Sequence, residues 1–155
     1  MFARSLVALV GVSALVLGGC GSKGSVAVSM EITAPELDVE SSAVGADASG
    51  GFALRLALGE EAPEATQVAL GTFSLQRAST ELLGPLSLSG AAFPVRLGVG
   101  EQKTFALTFV ESTELDVADA LCDGPLSVLG AVSDSESGDQ PTSVRSPAFS
   151  ASCTP

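Results

Sequence analysis

The stretch KTFALTFV, residues Lys103–Val110, decides the fold class of this chain. Phenylalanine or leucine alternates there with threonine or alanine, which is the period of a β-strand that buries one face. The stretch FPVRLGV at 93–99 alternates in the same way, and a turn at 98–100 separates the two runs. Their spacing predicts an antiparallel hairpin. Pro94 has no backbone donor, so the first of these strands is expected at a sheet edge.

Alternation of the same kind predicts two earlier strands, at 26–33 and 52–58. Pro35 is expected to end the first strand. Residues 36–51 are acidic and then rich in small side chains, and they are interpreted as a loop with a short strand near Leu37. Less regular runs predict further strands at 67–76, 86–89, 126–132 and 141–152, with irregular chain at 77–85 and a polar loop at 134–140.

Residues 111–123 have a different pattern. Thr113 and Asp116 have the spacing of a helix capping box, and apolar residues recur every three positions from Leu115. This pattern predicts a two-turn helix that crosses between sheets.

Seven or eight short strands separated by turns predict an all-β antiparallel sandwich. The runs at 93–97 and 98–109 resemble the strand–turn–strand of bacterial immunoglobulin-like modules, in which an apolar strand, a turn with glycine and a strand rich in Thr and Phe follow one another. The resemblance implies an immunoglobulin-like sandwich and a role in adhesion or scaffolding, but it identifies no site.

The first twenty residues have the three parts of a secretory signal peptide: the positive Arg4, an apolar run at 6–17, and small residues before Cys20. The end of this leader, LGGC, resembles the lipobox of bacterial lipoproteins, and the chain as a whole resembles small bacterial lipoproteins. The resemblance implies cleavage before Cys20 and two or three acyl chains on that residue, enough for a stable membrane anchor. Gly21, rather than Asp, follows the cysteine, which by analogy with enterobacterial sorting implies the outer membrane. The expected organisation is a signal peptide at 1–19, a lipidated Cys20 with a tether at 20–25, and a sandwich domain at 26–155.

The chain has three cysteines, and lipid on Cys20 leaves Cys122 and Cys153 to pair in an oxidising compartment. The last two predicted strands offer a test of this pairing on paper. A hairpin centred between residues 137 and 138 would oppose Cys122 to Cys153 and Leu126 to Phe149. A disulfide would then close the open end of that hairpin on its apolar side.

Composition argues against several classes of function. Removal of residues 1–19 takes away Arg4 and moves the formal net charge from −11 to −12. Such an acidic chain is not expected to bind nucleic acid. The absence of histidine removes the commonest general base and transition-metal ligand. Neither Lys23 nor Lys103 follows a serine at the Ser-x-x-Lys spacing, so we expect no enzyme and no cofactor.

Two acidic segments are weak calcium candidates, since calcium takes six to eight oxygen ligands. One is the polar loop with Asp134, Glu136 and Asp139. The other is the run Glu111, Glu114, Asp116, Asp119 and Asp123. Neither has the spacing of an EF-hand, so solvated surface charge is the preferred interpretation.

The resulting hypothesis is a membrane-anchored, non-enzymatic lipoprotein that acts as a binding or structural module at the bacterial cell envelope. Its partners would be the membrane, through the lipid anchor, and an envelope protein. A calcium-dependent binding module and a carrier of a small apolar ligand are the alternatives.

Overall fold

The computed structural model describes residues 28–155; the predicted signal peptide, Cys20 and the tether lie outside this range. Over the described residues the chain forms nine strands and one helix. These are β1 (Ser29–Ser42), β2 (Gly45–Ala57), β3 (Thr66–Arg77), β4 (Thr80–Leu83), β5 (Val95–Leu97), β6 (Gln102–Thr113), α1 (Leu115–Cys122), β7 (Ser127–Asp134), β8 (Thr142–Arg145) and β9 (Ser152–Thr154).

The strands form two sheets. Sheet A has the order β6-β2-β1-β9, and sheet B has the order β4-β3-β7-β8, with β5 also paired to β3. All pairs are antiparallel except β1 with β9, which is parallel. The predicted all-β sandwich is therefore confirmed. The described part has nine strands, more than the seven or eight predicted. The region 77–85 contains β4 and the last predicted strand is divided into β8 and β9, whereas the strand predicted at 86–89 is absent.

The loop predicted at 36–51 is wrong, because β1 and β2 form one long hairpin through it. Pro35 does not end β1. It lies in a β-bulge where the register shifts between Thr33 and Glu36, a position that tolerates a residue without a backbone donor. Gly50 continues β2 beside this bulge. A Cβ there would clash with the carbonyl oxygen of Glu36 and come 2.8 Å from Cζ of Phe109, so only glycine fits without a shift of the backbone.

The hairpin predicted from 93–99 and 103–110 is also wrong. β5 pairs with β3 in sheet B, whereas β6 pairs with β2 in sheet A, so the turn between them crosses from one sheet to the other. The segment just before β5 still meets β6 through the rings of Phe93 and Phe105, whose centroids are 5.1 Å apart. The predicted edge position of β5 is consistent with its single pairing, to β3.

The irregular chain predicted at 77–85 contains β4, which forms a hairpin with β3. The strand predicted at 86–89 reduces to one bridge, Ser89 to Thr108, because this segment leaves the edge of β3 and crosses to the edge of β6. Leu86 marks the start of the crossing, where its amide donates to the Phe73 carbonyl at 2.8 Å.

The strand predicted at 141–152 is divided between the two sheets. β8 pairs with β7 one residue out of the predicted register, with Gly130 opposite Val144. The predicted opposition of Leu126 and Phe149 is confirmed as a bridge beyond this pairing. The chain then crosses to sheet A and ends in β9.

The core lies between the two sheets. Phe52 of sheet A stacks on Phe73 of sheet B, with ring centroids 5.5 Å apart and planes 19° apart. α1 closes the end of the sandwich at the crossing from β6 to β7, where Ala118 and Leu121 are buried. Aliphatic side chains from both sheets fill the remaining space, among them Ile32, Val39, Leu54, Leu56, Val68, Leu75, Leu107 and Val132.

Candidate functional site

The loop with the calcium candidates 134, 136 and 139 is organised by internal hydrogen bonds. The Ser137 amide donates to Asp134 Oδ1 at 2.9 Å, and the Ser137 hydroxyl donates to Oδ2 of the same carboxylate. Asp134 is buried, and the Asp139 amide closes the turn by donating to its carbonyl at 3.0 Å. Both oxygens of Asp134 are therefore engaged in shaping the turn.

Glu136 lies on the other side of the same loop. Its backbone amide donates to Oγ1 of Thr66, and that hydroxyl lies 3.0 Å from the Ser135 hydroxyl. These bonds attach the loop to the start of β3. Across residues 28–155 no three acidic or cysteine side chains converge as a metal site would require.

The second acidic run follows the end of β6 and α1. The helix is confirmed, but the capping box is wrong: Thr113 belongs to β6, and the N-cap is Glu114, whose side chain makes no capping bond. Asp116 instead accepts a hydrogen bond from the Val117 amide at 2.9 Å. At the other end of the helix, the Arg77 guanidinium donates to the Ala120 carbonyl.

Cys122 and Cys153 are joined by a disulfide, with Cα atoms 6.2 Å apart. Cys122 is the last residue of α1, and Cys153 lies in β9. The bond therefore attaches β9 to α1 and does not close the β7–β8 hairpin. Both cysteines are exposed, so the bond lies at the surface, although the register places Cys153 on the same face of sheet A as the buried Val39.

The outer side of sheet A has an area that we call the acidic face, formed by Glu36, Asp38, Glu40, Asp47, Ser49, Val110 and Ser112. Strand register brings these residues together: Asp38 opposes Ser49, which opposes Val110, and Glu40 opposes Asp47, which opposes Ser112. All four carboxylates are exposed. Val110 exposes 68% of its surface beside them.

All the charged side chains of the acidic face are negative. Asp47 accepts a hydrogen bond from the Ser112 hydroxyl at 2.7 Å. Arg55, the basic residue on the same side of sheet A, pairs with Glu31 at 3.3 Å and with Gln102 at 2.7 Å, nearer the opposite end of the sheet. Within the described chain, no ion pair reaches the carboxylates of the acidic face.

Two open depressions border this side of sheet A. One, of about 410 Å³, lies at the tip of the β1–β2 hairpin between Glu40, Val44 and Ser112. The other, of about 400 Å³, lies at the opposite end between Met30, Glu31 and Arg55. Val44 is 96% exposed at the hairpin tip. Polar and charged side chains contribute to both, so neither is a closed apolar cavity.

The turn between β5 and β6 contains a perturbed carboxylate. The Gly98 amide donates to Oε2 of Glu101 at 2.7 Å, and Lys103 lies 3.1 Å from Oε1. The hydrogen bond from Gly98, followed by the one from Lys103, lowers the pKa of Glu101 below its ordinary value. Glu101 also caps this turn through its backbone, because its carbonyl accepts from Leu58 at 3.0 Å.

Comparison with protein-family models, with curated proteins and with solved structures found no match to this chain. Among residues 28–155, no helix has the length and apolar character needed to cross a bilayer. The sequence alone does not reveal the acidic face, because the pattern at 36–51 predicts a loop and the residues of the face come from three strands that only the register of sheet A brings together.

Proposed function

We propose that this protein is a lipid-anchored, non-enzymatic sandwich domain that acts as a binding or structural module at the bacterial cell envelope. It would be held to the outer membrane through acyl chains on Cys20. We also propose that the sandwich is immunoglobulin-like. The two-sheet architecture supports this proposal as far as the β-sandwich itself. The residues that carry the anchor are those of the LGGC sequence.

The observation that carries the binding role is the acidic face. A sheet face on a monomer with no further partner usually intersperses charges of both signs. Here four exposed carboxylates share one face of sheet A with the exposed Val110, and no basic residue lies among them. Such a surface favours a basic protein partner, because complementary charge steers association and suppresses the wrong partners.

The direction of β1 supports presentation of this face away from the membrane. β1 begins at Ser29, so a tether from Cys20 would lead to the end of the domain where β1 begins. β1 then runs over 14 residues to Ser42. At about 3.3 Å per residue, this places the hairpin tip roughly 40 Å from the tethered end.

Photocrosslinking in the native membrane tests the binding role. A photoreactive residue replaces Val110 in one variant and Val99, which is 46% exposed in the β5–β6 turn, in the matched control. We expect one dominant crosslinked protein from position 110 that is absent from position 99. The same background pattern from both positions would contradict a binding role for the acidic face.

The anchor is tested separately by intact mass. We expect the membrane-extracted protein to begin at Cys20 and to carry acyl chains, and Cys20→Ser to release it from the membrane fraction. A native chain that begins elsewhere, or remains membrane-bound as Cys20→Ser, would contradict the lipid anchor. Nothing in the geometry of residues 28–155 favours the calcium-dependent module or the apolar carrier over this proposal.

A further inference from the structure

We propose that β9 is a releasable edge strand and that reduction of the Cys122–Cys153 disulfide frees it from β1. This inference is independent of the proposed function. Three features support it: β9 makes few contacts besides the disulfide, the chain just before β9 is bonded independently, and both cysteines are exposed.

β9 has few non-covalent contacts. It is three residues long, all three are exposed, and it contributes no side chain to the core. It pairs with β1 in parallel at three positions, Ser152, Cys153 and Thr154, which lie beside residues 38–40. Parallel ladders are slightly less stable per residue than antiparallel ones. The disulfide is therefore the strongest link between β9 and the sandwich.

The chain before β9 is held independently. Leu126 and Phe149 exchange two backbone hydrogen bonds, at 2.8 and 2.9 Å. Phe149 and Ala151 also pack against the core. Release of β9 is therefore expected to stop near Ala151, and the two sheets keep their contacts.

The other end of the disulfide is fixed. Cys122 ends α1, whose Ala118 and Leu121 are buried and whose Ala120 carbonyl is bound by Arg77. α1 thus stays in place when the bond opens, while β9 loses its attachment. The asymmetry makes β9 the moving part.

Both cysteines are exposed, so a dithiol reductant can reach them. One thiolate of the dithiol attacks a sulfur of the bond and forms a mixed disulfide, and its second thiol then displaces that sulfur. The products are thiols at Cys122 and Cys153 and the oxidised dithiol. The backbone edge of β1 at residues 38–40 is then unpaired on one side, beside the acidic face, and available for addition of another strand.

Hydrogen exchange of the full exported protein in detergent, before and after treatment with dithiothreitol, tests the proposal. We expect exchange to rise at least tenfold at residues 152–154 and at those amides of 37–41 that point towards β9, whereas exchange in the β2–β6 ladder stays unchanged. Alkylation of Cys122 and Cys153 under the same native conditions verifies that the bond opened.

Two variants make the result decisive. The double variant Cys122→Ser, Cys153→Ser should show the fast exchange of the reduced protein with and without dithiothreitol. A chain ending at Ala151 should show the same fast exchange at 37–41. Unchanged exchange at 37–41 after reduction would overturn the proposal, because β9 would hold without the bond. Faster exchange throughout both sheets, or cysteines that resist alkylation in the folded protein, would overturn it as well.

Discussion

The ring of Phe73 in β3 lies directly over Gly130 in β7. The two residues oppose each other in the sheet B register, and a Cβ on Gly130 would come within 3.0 Å of three ring carbons. Phe52 stacks on the same ring from sheet A. The ring therefore occupies the space above the glycine and links the two sheets.

Gly130→Ala is expected to lower the free energy of unfolding by about 1–3 kcal/mol, the usual cost of overpacking a core. Phe73 is 1% exposed and cannot move aside without disturbing Phe52. Urea unfolding of the two proteins measures the difference. Gly98→Ala is the matched control, because its new methyl group would meet nothing closer than 3.4 Å. An equal effect of both substitutions would contradict the packing argument.

Asp134→Ala is expected to lower the free energy of unfolding by about 1–3 kcal/mol, because it removes the acceptor of two Ser137 hydrogen bonds from a buried position. Thermal unfolding with and without millimolar calcium measures both stability and metal binding. We expect calcium to leave the midpoint of the native protein unchanged. If calcium raised the unfolding midpoint of the native protein but not that of Asp134→Ala, the calcium-dependent alternative would be favoured instead.

Glu101 is expected to contribute a pH-dependent part of the stability. Its folded-state pKa is lowered, so the contribution is present above the unfolded-state pKa and is lost as the pH falls through the folded-state pKa. The difference in unfolding free energy between the native protein and Glu101→Gln should therefore be largest near neutral pH and shrink as the pH falls through the folded-state pKa of Glu101.

Denaturant unfolding across this pH range measures the effect. Glu64→Gln in the exposed 59–65 turn removes the same charge and serves as the control. A Glu101→Gln difference that stays constant with pH would show that the carboxylate's charge is not what stabilises the turn.

Arg77→Gln is expected to loosen α1, because the lost guanidinium donates to the Ala120 carbonyl and lies 3.8 Å from Asp123. A cost of about 1–2 kcal/mol and faster amide exchange in α1 are expected. Arg96→Gln, at an exposed position of β5, should change stability by less than about 0.5 kcal/mol. Unchanged exchange in α1 would mean that burial of Leu121 alone holds the helix.

Local pattern was enough to predict several elements. The alternation at 52–58 and 103–110 marks strands that turn one face towards the core, and the three-residue spacing after Leu115 marks α1. In each case the spacing of apolar residues along the sequence indicates which face of the element packs against the core. The leader and Cys20 also follow from sequence, and they remain proposals because they lie outside the described residues.

Tertiary structure decided which strands pair. Backbone donors and acceptors are the same at every residue except proline, so alternation cannot tell whether β6 pairs with β5 or with β2. Local pattern does not predict the long β1–β2 hairpin, because Pro35 and Gly50 are poor strand residues by propensity. In the structure a β-bulge accommodates Pro35, and Gly50 lies where a side chain would meet the Glu36 carbonyl and the ring of Phe109. The acidic face depends on this pairing.

The sequence by itself thus determined an acidic all-β chain, its main strands and the short helix, because each depends on residues close together along the chain. Only the tertiary structure placed the disulfide between α1 and β9 and assembled the acidic face. Both bring together residues far apart in sequence, and their positions follow from the packing of two sheets and the crossings between them.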